Sequence, residues 1–163
     1  MAEGLLMVYT GTDPENHYSP AGQYFRALGR GLRVCVIEFV ARENGIGVSA
    51  LQEAFEGRLK YHAAGPELSD ESNPVAPRRE QAVRALRAAR DAIESGEFDM
   101  VLLDRLLDLT ADGLVDSAEV MDVLSKRPPN LHIIVSGHSS PDELLQAADL
   151  VTHTGNTNPG ISN

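Results

Sequence analysis

Two stretches carry residue types whose spacing could do chemistry. The first follows an apolar run at residues 5–9 (LLMVY) and reads Thr10-Gly11-Thr12-Asp13-Pro14-Glu15-Asn16-His17. A glycine that ends a buried strand and opens a loop before a helix is where chains cradle phosphates, in the pattern G-x-x-x-x-G-K-[ST]. In that pattern backbone N–H groups and the helix N-terminus face the anion, and a Lys adds positive charge. Here the place is kept and the parts differ. There is no second Gly and no Lys, Asp13 and Glu15 put negative charge where a polyphosphate would lie, and Pro14 removes a donor. The second stretch is 98–104, FDMVLLD. An acid ending an apolar strand is the arrangement in which a carboxylate holds Mg²⁺ directly or through water, so Asp104 is the candidate metal ligand. Arg105 follows it, and the expected partner of that guanidinium is a nearby acid such as Asp108, with an anionic ligand as the alternative.

His17 and His138 both fall on loops at the C-terminal ends of strands, where open α/β sheets bind ligands. A grouping of either with Asp104 would make a pH-sensitive or metal-binding site; the default is a solvated loop histidine. Asp13 and Glu15 with Asp104 offer a weak cation site. The five histidines show no metal-ligand spacing. Ser19, Ser136, Ser139 and Ser140 form no nucleophile elbow, and no carboxylate pair stands at a spacing that suggests glycoside hydrolysis.

These residues need a scaffold, and the apolar pattern supplies one. Strand 5–9, a helix opened by Pro20 with Phe25, Leu28 and Leu32 as its stripe, and strand 34–39 make a βαβ unit with parallel strands. Residues 42–47 read as a loop. A short helix over 48–55, with Ser49 as its cap, stops at Gly57, and a short strand covers 59–63. Residues 65–77 read as a loop. The longest helix spans 78–95, buries Ala82/Val83, Leu86, Ala89 and Ile93, and stops at Gly96. After strand 98–104 and a linker at 110–116, Asp116 or Ser117 caps a helix through Lys126 with Val120, Val123 and Leu124 inward. Pro128 and Pro129 stop that helix, and the apolar run after them is another parallel strand. Ser139 or Ser140 caps a helix to Ala148, with Pro141 in its first turn. The fold class is α/β, three-layered, with a mainly parallel sheet of five or six strands. Residues 1–152 form one domain, and 153–163 a loosely ordered polar tail.

Composition narrows the partners. A formal net charge of −10 over 163 residues argues against nucleic acid or an anionic membrane as the main partner. The arginines at 78, 79, 84, 87 and 90 read as a solvated helix face. The single Cys35 lies in an apolar strand and reads as a buried structural thiol. One Cys allows no internal disulfide, residue 1 leads almost directly into a strand, and no apolar run approaches the ~18 residues of a membrane span, so a cytoplasmic protein is expected.

The framework segments resemble the ATP:corrinoid adenosyltransferases of cobalamin synthesis and salvage, a family of the P-loop NTPase type. Residues 8–34 lie without a gap on that family's "VYTGNGKGKTTAAFGLALRALGHGLKV". Gly11 matches the first loop glycine, Asp13 and Glu15 stand for glycines, Asn16 for the Lys and His17 for the metal-binding Thr. Residues 99–107 resemble "DLVLLDELN", with Asp104 kept, Arg105 for the Glu and Leu107 for the Asn. Residues 127–138 resemble "RPPHLHVIITGR", with His138 for the Arg, and 147–152 match "AADLVT". Over "MGEGFTW", the corrinoid-side loop, Gly65 is kept while Leu68 stands for the Phe and Asp70 for the Trp.

The resemblance implies transfer of the adenosyl group of ATP to the cobalt of a reduced corrinoid, with Mg²⁺, in a dimer. It places Thr10, Gly11, Thr12, Asn16 and His17 on the phosphate side, Leu68 on the corrinoid side, His138 beside the ligand, and Mg²⁺ on Asp104. The chain begins just before its first strand, so the N-terminal helix that covers the corrinoid in some members is not expected. With the phosphate loop degenerate, three readings stay open. One is a family member with little or no ATP-dependent transfer that binds a corrinoid, another small ligand or a protein. A second is an active cob(I)yrinic acid a,c-diamide adenosyltransferase whose phosphate contacts come from Arg105, Arg30 or a partner subunit's arginine. The third is a regulatory or scaffold subunit paired with an intact paralogue.

Overall fold

The computed structural model describes residues 3–11, 20–40, 48–64 and 75–155. In chain order the elements are β1 (Leu6–Gly11), α1 (Ala21–Gly29), β2 (Val34–Glu38), α2 (Val48–Ala54), β3 (Leu59–Ala63), α3 (Val75–Glu94), β4 (Met100–Asp104), α4 (Leu106–Ala111), α5 (Ser117–Ser125), β5 (His132–Gly137), α6 (Asp142–Ala147) and β6 (Leu150–Thr154). The strands form one sheet in the order β3-β2-β4-β5-β1-β6, and every pairing is parallel.

The order of the strands decides which face each helix covers. From β1 to β2 to β3 the chain moves one way across the sheet; from β3 to β4, β5 and β6 it moves the other way. Right-handed crossovers then place α1 and α2 on one face and α3 to α6 on the opposite one. The core divides accordingly. Met7, Tyr9, Val34, Val36, Met100, Leu102 and Ile134 pack under Tyr24, Ala27 and Leu28 of α1, with Leu51 and Phe55 at the margin. The alternate residues, including Val8, Cys35, Ile37, Val101, Leu103, Ile133 and Val135, pack under α3 to α6. Burial pushes the Cys35 thiol up to about 12, which suits a structural role.

Several expected details change. The stripe of α1 is Tyr24, Ala27 and Leu28; Phe25 is exposed and packs against Tyr24, and Leu32 follows the helix. Ala27 shares the face of Tyr24 and Leu28, and its small side chain lets α1 sit close to the sheet. α2 starts at Val48, so Ser49 lies inside it. α3 starts at Val75, three residues before the expected point, with Pro77 in the first turn, where a missing N–H leaves no helix bond unmade. Val83 is exposed, and Ala82, Ala85, Leu86, Ala89 and Ile93 face the core. β2 ends at Glu38 and β4 starts at Met100.

The run LLDLTA at 106–111, unassigned from its pattern, forms α4 and buries Leu106, Leu107, Asp108 and Leu109. Asp116 caps α5 in a full capping box with Glu119. Pro141 holds the cap position of α6 with no side-chain cap bond, so neither Ser139 nor Ser140 caps it. His153 and Thr154, assigned to the tail, belong to the edge strand β6. The expected loop at 42–47 and the tail from 156 on lie outside the described residues, as does 65–74 of the expected 65–77 loop.

Candidate functional site

Neighbouring strands send their chains to opposite faces at three places, between β5 and β1, between β2 and β4, and between β3 and β2. At such switch points the strand C-termini open a crevice for ligands. Two strands end there in acids. Glu38 and Asp104 are partners in register on β2 and β4, and both are buried. They continue the alternation Val34, Val36, Glu38 and Met100, Leu102, Asp104, so they share the face covered by α1. The Tyr61 hydroxyl on β3 donates to Glu38 Oε2. On the other side Ser136 Oγ donates to Asp104 Oδ1 at 2.9 Å. Level with Ser136, Tyr9 accepts a bond from Gln23 Nε2 of α1 at 3.0 Å. A polar row thus crosses five strands above the apolar layer under α1.

The turn after β4 is built on a strained residue. Arg105 has φ +62°, the left-handed region that side chains rarely adopt. Its N–H donates to Ser136 Oγ at 2.9 Å, which ties the turn to β5. Its Nε donates to Asp108 Oδ2 at 2.8 Å. Asp108 Oδ1 accepts the His138 N–H and meets His138 Nδ1, both at 2.8 Å. The approach depends on Gly137, because a Cβ there would stand 2.5 Å from Leu107 Cβ and 2.9 Å from Asp108 Oδ1. Burial pushes the Asp108 carboxyl up, but the His138 amide, the Arg105 guanidinium and the His138 ring together outweigh it and hold it below the usual carboxylate value.

The expected site residues are distributed as follows. Asp104 stands at the switch point bonded to Ser136. The His138 ring meets the carboxylate of Asp108, where a solvated loop histidine was the default expectation and a grouping with Asp104 the alternative. Arg105 pairs with Asp108, as expected. Thr10 turns to β6, with its hydroxyl 3.0 Å from His153 Nδ1. Gly11 ends β1 one step past the Thr10–Gly137 pair, beside His138. Thr12, Asn16, His17 and Leu68 lie outside the described residues, as do Asp13 and Glu15. Arg30, one of the alternative phosphate contacts, ends α1 and shares a small cavity with Met100 and His132, the first residues of β4 and β5. That is the N-terminal edge of the sheet, about 13 Å from the acids at four steps of ~3.3 Å.

Sequence reasoning missed Glu38 and Tyr61 and weighed Ser136 only as a nucleophile. Glu38 ends VCVIE just as Asp104 ends MVLLD, so the rule that picked out one acid would have found the other. For a hard cation the fit is partial. Asp104 offers the oxygen Mg²⁺ prefers, and Mg²⁺ takes the rest of its shell from water and phosphate. Among the described residues, no three His, Cys, Asp or Glu gather to hold an ion by themselves. The arginines of α3 behave as a helix face: Arg90 reaches Asp122 at 2.6 Å and Arg78 reaches Asp112 at 3.8 Å. Among the described residues, no helix is long and apolar enough to cross a membrane.

A model of the family described as ATP:corrinoid adenosyltransferase BtuR/CobO/CobP matches residues 2–158. The chain belongs to this family. A corrinoid adenosyltransferase of Pseudomonas aeruginosa is 28% identical over 153 residues, covering 91% of this chain and 73% of that protein. One of Escherichia coli K12 is 28% identical over 151 residues, covering 91% of this chain and 75% of the other. An uncharacterized protein of Nostoc sp. is 29% identical over 161 residues, covering 90% of this chain and 42% of its own length. The all-parallel six-stranded sheet accords with the P-loop type expected of this family, and the family's substrates are ATP and a corrinoid.

Proposed function

We propose that this chain is a divergent corrinoid adenosyltransferase homologue that binds a corrinoid and carries out little or no ATP-dependent adenosyl transfer. The observation that carries the reading is the charge at the C-terminal edge of the sheet. Three buried acids, Glu38, Asp104 and Asp108, stand there, and the guanidinium of Arg105 is committed to Asp108. Asp13, Glu15 and Asn16 in the adjoining loop sequence supply no compensation. A triphosphate carries about four negative charges, and two like charges ~4 Å apart near a protein surface repel by about 4 kcal/mol. Loss of the Lys with a gain of acids therefore weakens ATP binding by orders of magnitude. An active enzyme with in-chain replacements finds little support, because Arg105 is paired and Arg30 lies at the opposite edge. A partner subunit's arginine is the remaining source for such an enzyme. Self-association, or pairing with an intact paralogue, belongs to the same reading.

Thermal unfolding with MgATP and, separately, with cobinamide tests this. A ligand at 100 times its Kd adds about 2.7 kcal/mol. A shift with cobinamide and none with MgATP is expected. Adenosylation of reduced cobalamin at an ordinary rate overturns the reading, and no response to either ligand with retention of an intact paralogue favours a scaffold subunit. Restoring the loop with Asp13→Gly, Glu15→Gly, Asn16→Lys and His17→Thr should bring back MgATP binding.

A further inference from the structure

On the face opposite α1, a groove of about 490 Å³ runs between α3 and α5. Each of these helices carries the chain back between parallel strands, so the two lie side by side and run the same way. Leu86 and Val123 are buried at the floor of the groove, and Val83 is 37% exposed beside it. Ala118 is too short to fill the space between the helices, which leaves the hollow. Val83 also borders a second hollow, with Arg79, Glu80 and Arg84 of α3, so it stands as an apolar ridge between two depressions.

The walls of the groove carry opposite charge. Arg87 and Arg90 stand on the α3 side, Glu119 and Asp122 on the α5 side. At one end the walls are tied within the chain. Arg90 Nη2 reaches Asp122 Oδ2 at 2.6 Å, and Lys126 Nζ adds a contact to Asp122 at 3.7 Å. One turn earlier Arg87 and Glu119 are both exposed at the same level. Glu119 Oε2 accepts the Asp116 N–H at 3.1 Å. Among the described residues Arg87 meets no carboxylate.

A basic wall, an acidic wall and an apolar floor complement themselves under one operation, a two-fold axis along the groove. That axis lays α3 of each copy on α5 of the other and keeps every residue at its own level. Arg87 then meets Glu119 of the partner subunit, twice over, and each Val83 lies over the short Ala118 of the other copy. A two-fold axis across the groove would instead stack α3 on α3 and set arginine against arginine. With a formal net charge of −10, copies of this chain repel one another. Association is therefore favoured on a face that brings opposite charges together.

We propose that the α3–α5 groove is the docking surface for a second copy of this chain, with Arg87 of each copy paired to Glu119 of the partner subunit and Val83 covered by the contact. This does not depend on what the chain binds at the C-terminal edge of the sheet.

Sedimentation equilibrium of the full chain reads the assembly. The wild type should show twice the chain mass of 17.6 kDa, and association should weaken as salt is raised. Arg87→Glu and Glu119→Arg should each weaken it by roughly 10- to 100-fold, because symmetry counts each new like-charge contact twice. Neither variant complements itself, but each complements the other, so an equimolar mixture should recover the doubled mass. Mixing cannot restore a contact made within one chain. Glu119→Arg gives up one cap bond, while Asp116 still accepts the Ala118 N–H, so α5 stays in place. Val83→Glu, at an exposed position, should also give single chains. A single-chain mass for the wild type overturns the proposal. Dimers that survive in either charge variant, or a mixture that stays at the single-chain mass, overturn the Arg87–Glu119 pairing. Dimers that survive in Val83→Glu overturn the groove as the docking surface.

Discussion

The two ends of the sheet use carboxylates in opposite ways. At the N-terminal edge, Asp99 accepts the Arg33 N–H at 2.8 Å and the same guanidinium through Nε and Nη2 at 3.3 and 3.2 Å. Asp149 accepts the Leu6 N–H at 2.7 Å and Arg127 Nη1 at 3.4 Å. Both are held below the ordinary carboxylate value, Asp99 chiefly by the Arg33 side chain and Asp149 chiefly by the Leu6 amide. They fasten incoming chain ends in reach of water. At the C-terminal edge Glu38, Asp104 and Asp108 are buried and gathered on adjacent elements. An acid that water can solvate costs little and stabilises little. A buried one must be bonded on all sides, and the groups that bond it become fixed in position, as a binding site requires.

The contrast predicts an order of effects. Asp108→Ala should be the most damaging, lowering unfolding free energy by about 3 kcal/mol in urea titrations, the low end for breaking a buried ion pair. The low end applies because the Arg105 side chain retains 17% exposure. A loss no larger than that of an exposed acid would break the comparison. Gly137→Ala should follow at about 2 kcal/mol, from overpacking against Leu107 and Asp108. It should also disturb the His138 ring, visible as a shifted imidazole resonance.

The pH profile sharpens the same point. The folded Asp108 carboxyl lies below its ordinary value of 3.8. Its stabilisation is therefore fully present above about pH 4 and is lost as pH falls through the lower, folded value. Asp108→Ala should flatten that part of the acid-unfolding curve. Asp149→Ala and Asp99→Ala should produce the smallest changes, and raising the salt concentration should shrink them further, because exposed pairs are screened. Melting temperatures at low and high salt check this. A cost for Asp149→Ala equal to that of Asp108→Ala would erase the distinction between the two edges.

Much of the frame was legible in particular residues. LLMVY, VCVIE, MVLLD and HIIVSG are short apolar runs bounded by polar or Gly punctuation, and each is a strand. Asp116 was one of the two caps expected for α5 and is the one used, and Gly96 marked the end of the longest helix with φ +68°. α4 was hidden because six residues hold too few periods to show an amphipathic pattern, and its start depends on the left-handed turn at Arg105. β6 was hidden because LVTHT is half polar and sits at an edge, paired on one side by β1. At the site, Asp104 was legible as an acid closing a strand, and the Arg105–Asp108 pair from its spacing. The link from Asp108 to His138 spans 30 residues and no local pattern encodes it.

Taken alone, the order of residues determined the α/β class, the parallel strands and the family likeness. These are local properties, set by apolar periodicity and by which side chain occupies which position. The tertiary structure decided which charges meet. Parallel pairing set Glu38 beside Asp104, the missing Cβ of Gly137 let Asp108 reach His138, and the direction of α1 carried Arg30 to the far edge of the sheet. Those outcomes depend on strand order and register, and both follow from the packing of the whole chain.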